Sequence, residues 1–221
     1  MAISKLNFNS LNVTPSANLA IGFDSGADDL ETSSGGGAIK FIKKLTASSS
    51  STLSFVDGSA SVVLDSTYKK YMFIFNNIHP ASADANLQVN FSIDAGSNYN
   101  VAKTSTFFRT QHGESGSGAE LGYEASLDLA QGTAVKKISQ TSGADNDQGI
   151  SGILHLFNPS STTFVKHFIS QTNVSYAYSE PYFYSSYTAG YANTTSAVDA
   201  VQFSINSGNM DTGTITLYGI T

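Results

Sequence analysis

The sequence predicts an all-β protein, an antiparallel β-sandwich or jelly-roll-like body behind an extended N-terminal arm. Three observations carry that expectation. Charged residues make up only 13% of the chain, against about 25% in ordinary soluble domains. Ser, Thr and Asn take their place. These short polar side chains compete for backbone hydrogen bonds and weaken helices, whereas the abundant Thr, Val, Ile, Phe and Tyr suit pleated strands. From Ala38 onward, short apolar or alternating runs are punctuated by Gly, Ser, Asn and Pro, the spacing of a sandwich or barrel. No stretch sustains a helical period. A chain of 221 residues is long enough for one large body with an arm.

The elements follow in order. Residues 1–38 hold sparse apolar side chains and end in Gly35-Gly36-Gly37, which reads as a hinge. We expect an arm with a Gly-rich hinge over 1–38, and a sandwich body over 39–221. Phe8, Leu11 and Phe23 are the candidate anchors by which the arm would order on a partner. Ile39 to Ile42 opens the body, Thr52 to Val56 runs into the turn Asp57-Gly58, and Ser61 to Leu64 follows. Tyr68 to Ile78 is apolar at successive positions, including Tyr71, Met72, Phe73, Ile74 and Phe75, and predicts a central strand covered on both faces. Leu87, Val89, Phe91 and Ile93 alternate with polar residues and predict a half-buried strand. The turn Asp94 to Ser97 and the run Tyr99 to Thr110 suggest that this strand closes a hairpin. Glu120 to Ala130 reads as strand or loop. Ile150 to Phe157 and Thr163 to Ile169 flank the turn Asn158-Pro159, and Val198 to Ile205 and Gly213 to Ile220 complete the body.

Composition also limits the chemistry. A net charge of −6 with no basic run longer than two residues argues against nucleic acid as a partner. There is no cysteine, so stability is expected from burial and oligomerisation, not from disulfides or thiolate zinc sites. No signal peptide and no membrane-length apolar run are legible. His79, His112, His155 and His167 show no metal-ligand spacing, although His155 and His167 could share a hairpin. Gly113-Glu114-Ser115-Gly116 misses the nucleophile-elbow spacing. Glu114, Glu120, Glu124 and Asp128 could in principle supply a glycosidase pair, as any acidic loop could. Asp145 to Gly149 resembles the start of a calcium loop, but the EF-hand position for a bidentate Glu is Leu156. The expectation is therefore no catalytic residue, no metal and no cofactor.

One local feature stands out. Tyr176, Tyr178, Tyr182, Phe183, Tyr184, Tyr187 and Tyr191 crowd one segment around Pro181. Tyrosine combines contact area with a hydroxyl, so this run is the candidate subunit or glycan interface. The bland alternative is a strand pair that uses tyrosine as core.

Several strings resemble a known family. They are Asp65-Ser66-Thr67-Tyr68-Lys69-Lys70-Tyr71 running into Phe73 to Pro80, Asp94 to Asn100, Leu156 to His167, and the closing Gly213 to Ile220. Together with the opening Met1 to Leu6, they are similar to virion structural proteins of tailed phages of marine bacteria, cyanophages and pelagiphages among them. The resemblance implies a virion location and a non-enzymatic role, as an exterior head decoration or a tail-fibre or appendage subunit. It implies other virion proteins as partners, either the major capsid protein or tail components, and for such an exterior subunit we expect a homo-oligomer, a trimer. A fibre module binding a host surface glycan is the alternative, and a virion polysaccharide depolymerase is a more distant one. No membrane partner is implied.

Overall fold

The computed structural model describes residues 20–23, 30–33, 38–177 and 181–221. The chain divides into two compact units, Met1–Ala38 and Ile39–Thr221. In the first, β1 (Ala20–Phe23) pairs antiparallel with β2 (Leu30–Ser33), so that Phe23 opposes Leu30. Phe8 and Leu11 lie outside the described residues.

The second unit is an antiparallel sandwich. Its strands are β3 (Ile39–Thr46), β4 (Thr52–Val56), β5 (Lys70–Pro80), β6 (Leu87–Ser92), β7 (Lys103–Gly113), β8 (Glu120–Tyr123), β9 (Leu129–Gly132), β10 (Lys136–Lys137), β11 (Gly149–Phe157), β12 (Lys166–Ala177), β13 (Pro181–Ala192), β14 (Ala200–Ile205) and β15 (Met210–Ile220). A single 3-10 turn, Ala125–Leu127, separates β8 from β9. The larger sheet has nine strands in the order β3-β15-β5-β11-β12-β13-β7-β8, with β9 also pairing β7. The smaller has four, in the order β10-β6-β14-β4.

Alternation fixes which side chains meet between the sheets. From β5 come Tyr71, Phe73 and Phe75, from β14 Val201 and Phe203, from β6 Leu87, Val89 and Phe91, all buried. Phe203 is the pivot. Its ring lies edge-on to Phe73 at 5.1 Å, Phe75 at 5.1 Å and Phe55 of β4 at 6.2 Å, the geometry favoured by aromatic quadrupoles.

The inner layer changes character across the larger sheet. Beneath β12 and β13 the inward positions include Ser170, Thr172, Ser186 and Thr188, all buried. The segment after β10 lies against them: Thr172 Oγ1 donates to the Ile138 carbonyl (2.7 Å), and Ser186 Oγ accepts from the Gln140 N–H (3.1 Å). A hydroxyl seam thus interrupts the hydrocarbon layer beneath β12 and β13, flanked on β12 by the buried core residues Phe168 and Val174.

Two sequence expectations need correction. The run from Leu87 to Thr110 is not a hairpin: β6 pairs β10 and β14 in the small sheet, while β7 pairs β13, β8 and β9 in the large one. The connection crosses between sheets because both strands bury one face in the same core. Ile93, just past β6, is 42% exposed and does not continue the inward row.

The second correction concerns β5. It is central, between β15 and β11, but among the described residues of the body a sheet packs on only one of its faces. Met72 and Ile74 point away from the small sheet and are partly exposed. Near its end, both neighbours shift register against it, and Asn77 adopts φ 48°. The bulge places Asn76 and Asn77 side by side at the surface. Gly213 makes this approach feasible. At φ 111° it presses on β5 so closely that a Cβ would lie 2.4 Å from the Asn77 carbonyl oxygen.

Candidate functional site

Strand geometry divides the aromatic run. Tyr182, Tyr184 and Ser186 share one side of β13, opposite Tyr176 and Val174 of β12. Tyr184 packs against the core and lies 5.6 Å from the Arg109 guanidinium, a cation–π contact. Tyr182 stacks on Tyr184 at 6.1 Å, and Tyr176 donates to Asp84 Oδ1 at 2.8 Å. Phe183, Tyr187 and Tyr191 occupy the other side. Tyr178 lies outside the described residues. The run therefore serves two surfaces with three located rings on each.

The outward side belongs to a broader feature. Residues opposite one another in register share a face, so two rows can be traced across the large sheet. One runs Phe41, Tyr218, Met72, His155, Ile169, Ala189, Thr106. The next runs Thr216, Ile74, Ile153, Gln171, Tyr187, Phe108, Tyr123. Neither row carries a carboxylate or an arginine, and the one lysine, Lys44 opposite Thr216, stands on the edge strand β3. Several members stand far into solvent, among them Phe41 at 64%, Ile169 at 51% and Tyr123 at 61% exposure. Tyr187 and Phe108 stack at 4.9 Å with nearly parallel rings. Beside them the small side chains of Ala189 and Thr106 leave a shallow apolar groove. His155 does not add charge at neutral pH, because burial and the nearby Lys70 hold its pKa below the usual imidazole value. Its Nδ1 is buried without a hydrogen-bond partner among the described residues.

At one end of this face lies a polar cleft of about 530 Å³. The β5 bulge contributes Asn77, β12 contributes Asn173 and Ser175, β13 contributes Phe183, and residues 146–149 form a wall. Asp145 to Gly149 thus has a structural position, and among the described residues no group of three or more metal-ligating side chains gathers. His79 ties the wall down. Its Nδ1 donates to Asp211 of β15 at 2.9 Å and its Nε2 lies 3.0 Å from the Asp145 carbonyl. Burial opposes charge on His79, but these two hydrogen bonds and the Asp211 and Asp145 charges hold its pKa above the ordinary value.

The acidic candidates of the sequence are engaged elsewhere. Arg109 Nε donates to Glu124 Oε1 at 2.6 Å, and Nη2 reaches Glu120 Oε2 at 3.5 Å. Tyr123 hydrogen-bonds Asp128. Glu114 is exposed in the turn after β7. These four carboxylates do not converge on one cleft.

Three lysines are fully buried: Lys103, Lys136 and Lys166. Their ammonium groups meet neutral oxygens. Lys103 bridges the sheets, donating to Asn90 Oδ1 of β6 at 2.6 Å and to the Val101 carbonyl at 2.7 Å. Lys136 donates to the Leu127 carbonyl at 2.6 Å and lies 5.2 Å from the Phe107 ring centre. Lys166 donates to the Phe164 and Thr194 carbonyls. Burial lowers Lys103 and Lys136 from 10.5 to about 8.

A pH profile follows. His79, raised in the fold, contributes stability below the unfolded pKa of about 6.5 that is lost as pH climbs through its folded value. Between about pH 8 and 10.5 the unfolded lysines still bind protons that folded Lys103 and Lys136 release, so stability rises with pH there. Above about pH 10 it falls again, because buried Tyr71 keeps its proton in the fold and loses it on unfolding. Calorimetric melting temperatures should therefore dip near neutrality, climb from about pH 8 and peak near about pH 10. Lys103→Met should flatten the rise. A melting temperature that declines steadily from pH 7 to 10 would contradict this assignment.

No family model matches the chain, and neither a curated protein nor a solved structure matches it.

Proposed function

We propose that the protein is a non-enzymatic structural subunit of a tailed-phage particle, and that copies associate through the open face of the nine-stranded sheet. One observation carries the contact: β5 is apolar on both faces, yet among the described residues of the body only one face has a sheet packed on it. A central strand built for cover on both sides, within two rows that are uncharged from β15 to β7, is the signature of an interface. A second copy is the occupant favoured here. The middle of the face would bring no like charges together, so self-pairing carries little electrostatic cost. The particle assignment rests on the resemblance of the strand-and-turn strings. On that reading the chain acts on the virion, as a head decoration or appendage subunit, with residues 1–38 engaging capsid or tail components.

Face-to-face pairing is isologous and gives a twofold dimer, whereas the trimer expected from the sequence needs the face to meet a different surface. Sedimentation equilibrium of the full chain distinguishes them. Assembly beyond the monomer is expected, and labelled antibody should decorate intact particles. A monomer across the accessible concentration range would remove the contact, and unlabelled particles would remove the virion role.

A further inference from the structure

The cleft beside β5 has chemistry that the assembly reading does not use. The geometry points to a binding site for a neutral sugar ring, held between the Phe183 ring and a set of side-chain amides and carboxylates. A pyranose offers a belt of hydroxyls, each donor and acceptor, and an apolar face of C–H bonds. Side-chain amides match the belt because each presents both a donor and an acceptor in one plane. Asn77, Asn146 and Asn173 supply three, and Asp147 adds a carboxylate acceptor. Among the described residues, the side chains of Asn146, Asn173 and Asp147 make no hydrogen bond, so their capacity is unspent. Phe183, half exposed at the rim, supplies the flat apolar partner for the C–H face. The volume of about 530 Å³ lies within the usual range for small-molecule sites and exceeds one sugar ring, so a chain of linked sugars could continue beyond it.

The charge in the cleft narrows the class. Asp147 and Asp211 are both in the lining, and both would repel a uronate, sulfate or phosphate group. His79, when protonated, offsets only its partner Asp211, so Asp147 keeps an uncompensated negative charge in the lining. The His79 contacts with Asp211 and the Asp145 carbonyl fix the wall before a ligand arrives, which reduces the ordering cost of binding.

Saturation-transfer NMR on the full chain tests the site, using D-glucose, D-galactose, D-mannose and N-acetyl-D-glucosamine, with D-glucuronic acid and adenosine for comparison. At least one neutral sugar should receive saturation, with the acid weaker. Phe183→Ala and Asn173→Ala, each with an unchanged circular-dichroism spectrum, should weaken that sugar by about tenfold or more. Silence from all four neutral sugars overturns the proposal. So does tighter binding of glucuronic acid or adenosine, or sugar binding indifferent to both substitutions.

Discussion

Replacing Phe203 by Ala is expected to lower the unfolding free energy by about 4 kcal/mol, within the range for a fully buried phenylalanine. The ring is wholly buried and touches three other phenylalanines drawn from both sheets. Truncation removes the transfer free energy of the ring and leaves a void. The surrounding strands cannot easily close that void, because their register is set by ladders on either side. Phe41, 64% exposed on the open face, gives the contrast: Phe41→Ala should change stability by less than about 0.5 kcal/mol. Urea unfolding at equilibrium reads both. A loss below about 1 kcal/mol for Phe203→Ala would mean that the sheets are not joined through this ring.

The second large effect concerns association. Ile169→Glu should raise the dissociation constant between copies more than a hundredfold, or roughly 3 kcal/mol. In the isolated chain the new carboxylate stands in water, so folding is preserved. In a pair it is buried among apolar side chains far from Lys44 at the β3 edge, and a symmetric contact brings a second carboxylate near the first. Sedimentation of the variant should show monomer where the parent chain is associated. An unchanged dissociation constant with an intact fold would move the contact away from this face.

Much of the architecture was legible in the sequence, and the reasons are local. Leu87, Val89 and Phe91 alternate because one side of β6 is buried, and that periodicity can be read without a partner strand. The partners themselves cannot be read. Nothing between Phe91 and Thr104 reveals that the chain leaves one sheet for the other, since a turn and a crossover use the same residues. Lys103, Lys136 and Lys166 look like surface charge in a string of letters; only the fold brings Asn90, Leu127 and Thr194 within reach of them. The cleft draws on strands far apart in sequence and depends on a bulge at Asn77, so no motif announces it. The interface signal was present in part. Met72 and Ile74, read as facing a second layer, are the residues on which the proposed contact rests, since among the described residues of the body no layer covers them. The tyrosine run misled in a different way: clustering in sequence becomes division in space once a strand alternates.

The hydroxyl seam under β12 and β13 gives the body a weak flank. Hydrocarbon contacts are lost all at once when sheets part, whereas a seam of Ser and Thr can exchange its partners for water one at a time. Breathing of the sandwich should begin on the β7–β13 flank and leave the cluster around Phe203 shut, so the body can flex along one side without losing its fold.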